Sequence, residues 1–182
     1  MKADDNNTFP KNLDFLAKIL KGLNLNYTDV AKAAGITPQL VAYWFEHDDI
    51  KLSRLTYTME SLNISIECSF ERIETQQEVQ IKEDEYEIEM ENVLKFKRET
   101  SRSGFILDQA LERNARLVFL AKLIKEMGLS LIDFSNLVNR KYQTIHHYFK
   151  VDDIKVSIIY DIARHTGRRV KWRLIPLKTE EH

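Results

Sequence analysis

Three kinds of feature are scarce in this chain of 182 residues, and each scarcity closes a class of function. A single cysteine, Cys68, leaves no intrachain disulfide framework and no multi-cysteine zinc site. Within the strand-like stretch Ile64-Ser-Ile-Glu-Cys-Ser-Phe70 it reads as a small packing residue. The five glycines do not form the GxGxxG or P-loop patterns that cradle phosphates. Long apolar runs are missing too: nothing approaches the roughly 18 residues of a membrane span. The polar, acidic start from Met1 to Pro10 lacks the basic-then-apolar pattern of a signal peptide, so a cytoplasmic, membrane-free protein is expected. No acid, base and nucleophile constellation stands out, so neither an enzyme nor a cofactor is expected.

What the chain does contain is itself, twice. A shift of 104 residues superimposes Leu13 to Phe70 on Leu117 to Leu174 without a gap, with fifteen identities in 58 aligned positions. Phe15/Phe119, Asp29/Asp133, Gln39/Gln143, Phe45/Phe149, Asp48/Asp152 and Asp49/Asp153 are among them. Other pairs exchange like for like, such as Val30/Phe134, Val41/Ile145, Trp44/Tyr148 and Leu55/Ile159, at positions a helical core would use.

The second copy is the easier to read. Leu117, Leu120, Ala121 and Ile124 recur at helical spacing up to Gly128, and Ser130 offers an N-cap. A short helix from Leu131 to Val138 buries Phe134 and Val138. Asn139 follows where the first copy has Gly35, two residue types that tolerate a left-handed backbone, which predicts a sharp turn. The next helix spans roughly Tyr142 to Lys150 with Ile145, Tyr148 and Phe149 inward. A packing helix through Val156, Ile159, Ile162 and Ala163 closes at Gly167, and a strand Val170 to Ile175 stops at Pro176. The first copy predicts helices Leu13 to Leu23, Tyr27 to Ala34, Pro38 to Glu46 and about Leu52 to Leu62, then a strand Ile64 to Phe70.

The stretches Thr28-Asp-Val-Ala-Lys-Ala-Ala-Gly-Ile-Thr-Pro-Gln-Leu-Val-Ala-Tyr-Trp44 and Ser130-Leu-Ile-Asp-Phe-Ser-Asn-Leu-Val-Asn-Arg-Lys-Tyr-Gln-Thr-Ile145 resemble the Cro and lambda-repressor helix-turn-helix family. The family's small residue of the second helix is matched by Ala31 and Ser135, its turn glycine by Gly35 and Asn139, and the buried aliphatic of its recognition helix by Val41 and Ile145. The common Glu-Arg-Gly ending is replaced by Glu46-His47-Asp48 and Lys150-Val151-Asp152. The resemblance implies a mainly α fold of two helix-turn-helix domains, each followed by a short strand, over residues 11–73 and 105–178 with a charged linker at 74–104. It also implies base reading from the start of the recognition helix and one turn later: Lys141, Tyr142, Gln143 and His147 in the second copy, Thr37, Pro38, Gln39 and Tyr43 in the first. Gln suits that work, because its amide can both donate to and accept from adenine in the major groove.

Charge separates the copies. Residues 11–70 sum to −1, residues 71–112 to −6, and residues 113–178, with fourteen basic against five acidic side chains, to +9. Phosphate neutralisation drives sequence-independent affinity, so the second copy is the expected DNA reader. Arg140, Thr144, Lys150 and Lys155 are the nearest phosphate candidates, with Arg168, Arg169, Lys171 and Arg173 beyond them. About half of the cations are expected only to keep a surface soluble. The shared Asp-Asp-Ile-Lys block is expected to be a turn with a helix cap; adjacent His146 and His147 diverge by about 100° on a helix and cannot easily share a metal.

The middle is less readable. Residues 83–91 are acidic and residues 95–98 basic, as a helix dipole would favour, yet Tyr86, Ile88 and Met90 alternate as in a strand. The acidic stretch is either a solvated face or a cover over the basic unit. A connector is expected at Thr100 to Gly104, then a helix from about Phe105 that runs toward the next unit. The two terminal strands need partners, within one chain or across a homodimer. A double-stranded DNA-binding transcriptional regulator is the expectation, and an antitoxin-like or adaptor assembly module is the alternative.

Overall fold

The computed structural model describes residues 11–73, 102–113 and 115–177. The expectations for the acidic and basic runs and for the alternation at Tyr86, Ile88 and Met90 lie outside those residues. The chain's described residues are mainly helical, with one two-stranded antiparallel sheet among them. Its described elements are α1 (Asp14–Gly22), α2 (Tyr27–Ala33), α3 (Pro38–Glu46), α4 (Leu52–Glu60), β1 (Ile64–Arg72), α5 (Arg102–Glu112), α6 (Val118–Glu126), α7 (Leu131–Leu137), α8 (Tyr142–Val151), α9 (Val156–His165) and β2 (Arg168–Pro176). Each of α1 to α4 and β1 starts 104 residues before its counterpart among α6 to α9 and β2.

The turns explain why the boundaries coincide. Every described residue with positive φ belongs to a matched pair: Asn24 with Gly128, Gly35 with Asn139, Asp48 with Asp152, and Asn63 with Gly167. Where Gly35 stands at +62° and Asn139 at +51°, the helix before it ends in the same two bonds. Ile36 N–H donates to the Ala31 carbonyl at 2.9 Å and Gly35 N–H to Lys32 at 3.4 Å; Arg140 and Asn139 repeat this onto Ser135 and Asn136 at 2.8 and 3.1 Å. These bonds satisfy carbonyls that a helix end would leave without partners.

Helix starts are equally local. Asn26 caps α2 by accepting from Thr28 and Asp29 N–H, while Asp29 accepts from Asn26 N–H at 2.9 Å. Ser130 caps α7 by accepting from Asp133 N–H at 3.1 Å, and its hydroxyl donates to the Asp133 carboxylate at 2.6 Å. The identity of Asp29 and Asp133 is thus a capping requirement.

Two compact units emerge. Of the described residues, the first takes those up to Ile66, Lys155–Ser157 and those from Leu174; the second takes those within Glu67–Ile154 and Ile158–Arg173. Leu13, Leu16, Leu20, Val30, Val41, Leu55 and Met59 form the apolar centre of the first, and Leu117, Leu120, Ile124, Phe134, Ile145, Ile159 and Ile162 that of the second. Each such fully buried side chain is worth about 1.5–3 kcal/mol relative to exposure.

Several expected boundaries move. The connector expected at Thr100 to Gly104 is helical from Arg102, and α5 ends at Glu112 instead of running into α6. The reason lies in Asp152, whose carboxylate takes the N–H groups of Arg116 and Leu117, both at 3.0 Å, and so starts a separate helix. The strands run longer than expected, from Ile64 to Arg72 and from Arg168 to Pro176, because β1 and β2 pair with each other in one chain. Cross-strand neighbours override weak local preference in this way. With β1 beside it, β2 needs no second copy to satisfy that edge. Burial pushes the Cys68 thiol on β1 far above its ordinary value, which keeps it a protonated packing group.

Candidate nucleic-acid interface

The α7–α8 pair is held by a compact apolar contact under the turn. Phe134 and Ile145 are fully buried, and Ser135, only 1% exposed, needs its small size because its hydroxyl folds back to the Ile132 carbonyl at 2.7 Å. With Ile145 inward, Gln143, His147 and Lys150 fall on one exposed stripe of α8, at the three- and four-residue spacing of a single helix face. Lys141 stands exposed at the N-cap, and its side chain makes no capping bond. Tyr142 is half-buried with its ring 5.7 Å from that of His146; Thr144 is also half-buried.

The corresponding face of α3 has different chemistry. Gln39 is exposed at the place of Gln143. Thr37 caps the helix, its hydroxyl oxygen accepting from Leu40 N–H at 3.3 Å. Tyr43 is 52% exposed and stacks on His47 with ring centroids 3.8 Å apart, while Glu46 stands where α8 has Lys150. A base or peptide group meeting this face of α3 meets an aromatic pair; one meeting the matching face of α8 meets an amide, an imidazole and an ammonium.

Ion pairing sorts the candidate phosphate ligands. Arg140 is turned into the protein: it donates to the Asp161 carboxylate at 2.7 Å, and its Nε is buried without a hydrogen-bond partner among the described residues. Partial burial pushes the Asp161 carboxyl up, but hydrogen bonds from Arg140 and Arg164 and the charges of Arg140 and His165 outweigh it, holding the group below the usual carboxylate range. Lys155 lies 3.0 Å from Asp49 within the first unit. Arg169 and Lys171 on β2 clasp Glu71 of β1, at 3.0 and 2.5 Å, and the Lys171 hydrogen bond is the leading cause of that carboxyl's lowered pKa. Arg168, with a side chain only 8% exposed, pairs with Glu126 at 3.1 Å. Lys141, Lys150 and Arg173 have no ion pair among the described residues.

The Asp-Asp-Ile-Lys block serves the fold. Asp48 accepts from Asn12 and Leu13 N–H at 2.8 and 2.9 Å, as Asp152 accepts from Arg116 and Leu117. Asn12 Nδ2 and Arg116 Nε then donate to the carbonyls of Asp48 and Asp152, at 3.2 and 2.9 Å. These two partners sit just outside the aligned repeat, and their side chains differ, so the shared task is invisible to an identity search. The second aspartate also meets backbone: Asp49 accepts from Ser157 N–H at 3.0 Å, and Asp153 accepts from Ile154 N–H at 3.0 Å. Among the described residues no group of three or more His, Cys, Asp and Glu side chains could hold a metal ion, and no helix is long and apolar enough to cross a membrane. No family model, curated protein or solved structure matches this chain.

Proposed function

We propose that the chain is a non-enzymatic, sequence-specific binder of double-stranded DNA, a transcriptional regulator of the Cro and lambda-repressor helix-turn-helix type that reads the major groove mainly through α8. The observation that carries this reading is the exposed stripe Gln143, His147 and Lys150, with Lys141 exposed at the N-cap, on a helix whose opposite face is anchored by Ile145. Gln143 would address a base edge, with Lys141, Tyr142 and His147 around it, and Lys150 would meet phosphate. Arg140 and Lys155 act first through their carboxylate partners and contribute less to duplex affinity. Thr37, Gln39 and Tyr43 would make the weaker contacts of the first repeat.

The test is selection from random duplexes followed by a salt titration. A selected motif, with affinity that falls steeply as salt rises, is the expected result. Absence of duplex binding at low salt would overturn the proposal in favour of an assembly module of antitoxin or adaptor kind. The aromatic, cation-poor face of α3 is the specific observation that favours this second reading for the first repeat.

A further inference from the structure

The two repeats bury the same helix face differently. In the second unit α5 packs against α6 and α8, with Leu107 and Ala110 buried and Asp108 paired to Lys125. In the same unit Ala121 and Leu131 are both 0% exposed. In the first unit the aligned positions are Ala17, Lys21 and Tyr27, and all three are exposed. There they line a groove of about 520 Å³ with Leu20, Leu25 and Phe45. Tyr27 lies flat on Phe45, rings 5.1 Å apart and 9° from parallel, and makes an aromatic floor where the second unit has the buried Leu131. Lys21, the counterpart of Lys125, has no ion pair among the described residues.

We propose that this groove receives an amphipathic helix from a partner protein, one that presents an apolar residue pair three apart and a carboxylate next to the first of them. The template is α5 itself, where Leu107 and Ala110 enter the core and Asp108 meets the lysine. The chain's own residues do not repeat that chemistry: at the same offset Leu107 and Ala110 correspond to Ala3 and Asn6, although Asp4 retains the charge of Asp108. A helix laid into a groove is read by such i, i+3 anchors, and the lysine fixes its register. This assignment stands apart from the DNA reading, because none of the groove residues belongs to the α8 stripe.

The probe is a fluorescein-labelled peptide with the sequence of residues 102–113, titrated into the full chain and followed by anisotropy. Saturable binding is expected. It should be abolished by Ala17→Trp, which fills an exposed site without disturbing the core, and weakened roughly two- to fivefold by Lys21→Glu, as for a surface ion pair. A peptide carrying lysine at the Asp108 position should recover binding to Lys21→Glu. Four results would overturn the proposal: no saturable binding; binding sensitive to Lys125→Glu but not to Lys21→Glu; binding only after deletion of residues 1–10, which would give the groove to the chain's own N-terminus; or a concentration-dependent dimer in sedimentation that Ala17→Trp abolishes, which would give it to a second copy.

Discussion

Asp48 and Asp152 stand at nearly the same left-handed φ, 51° and 50°, and each takes two backbone N–H groups at the start of the first helix of its repeat. The helices just before them share no such constancy. At the aligned positions, Pro38, Gln39, Tyr43 and Glu46 of α3 correspond to Tyr142, Gln143, His147 and Lys150 of α8. Only the glutamine is common. Positions that set backbone geometry are held by sterics and hydrogen bonding whatever the protein binds, whereas exposed positions are free to change with the partner. The comparison therefore separates what these repeats need in order to fold from what each presents.

The strongest way to break the comparison is through the cores. Leu55 and Ile159 occupy aligned positions and are both 0% exposed. Leu55→Ala and Ile159→Ala should each lower unfolding free energy by about 2–5 kcal/mol in urea titration. A loss below about 1 kcal/mol at either site would mean that the two centres are not packed alike.

Duplex binding sharpens the comparison from the other side. Gln143→Ala should cost about 1–3 kcal/mol of discrimination at one position of the selected motif. Gln39→Ala should cost less, since its neighbours on α3 supply no cation. Lys150→Ala should weaken all sequences alike and reduce the salt slope by about 0.9. Arg140→Ala should change that slope less than Lys150→Ala, because its guanidinium already faces Asp161. A motif left intact by Gln143→Ala would remove α8 from the reading role.

Much of the architecture was legible because short-range chemistry decides it. Pro38 at a first helical turn, Ser130 at a cap and Gly35 opposite Asn139 each announce their geometry from one or two residues, and α3 runs over the residues expected for it. Asp48 and Asp152 could be assigned to a cap, but not to which helix they cap, since their targets lie 35 and 36 residues earlier. The candidate interface was less readable. Exposure of Gln143 and Lys150 follows from helical periodicity, but the commitment of Arg140 to Asp161, of Lys155 to Asp49 and of Arg169 and Lys171 to Glu71 depends on contacts 21 to 106 residues away along the chain. Net charge counted those cations as available, whereas pairing decides which ones are.

A smaller effect tests whether the caps are equivalent. Asp48→Ala and Asp152→Ala should each destabilise by about 1–2 kcal/mol, the range for loss of a side-chain cap. Asn at either position keeps an acceptor and tolerates the left-handed backbone, so Asp48→Asn and Asp152→Asn should recover part of the loss. Unequal losses, read as midpoint shifts at constant denaturant slope, would show that Asn12 and Arg116 do not support the two turns equally.

The smallest effect lies where the repeats differ in kind. Arg140 and Asp161 correspond to Ile36 and Tyr57, which line one open hollow in the first unit with Ser53 and Arg54. One repeat uses packing where the other uses an ion pair. Because the folded Asp161 carboxyl lies below its ordinary value, its contribution is present above the unfolded pKa of about 3.9 and is lost as pH falls through the lower folded value. Asp161→Asn should therefore flatten the acid limb of the stability curve while Tyr57→Phe leaves it unchanged. At neutral pH the pair is partly exposed, with side chains 29% and 26% accessible, so Arg140→Ala should cost no more than about 1 kcal/mol. Replacing both partners by Ile and Tyr, as in the first repeat, should cost little, since it removes both charges of a partly exposed pair together and leaves neither without its partner. A wild-type acid limb identical to that of Asp161→Asn would contradict the pairing as the source of the difference.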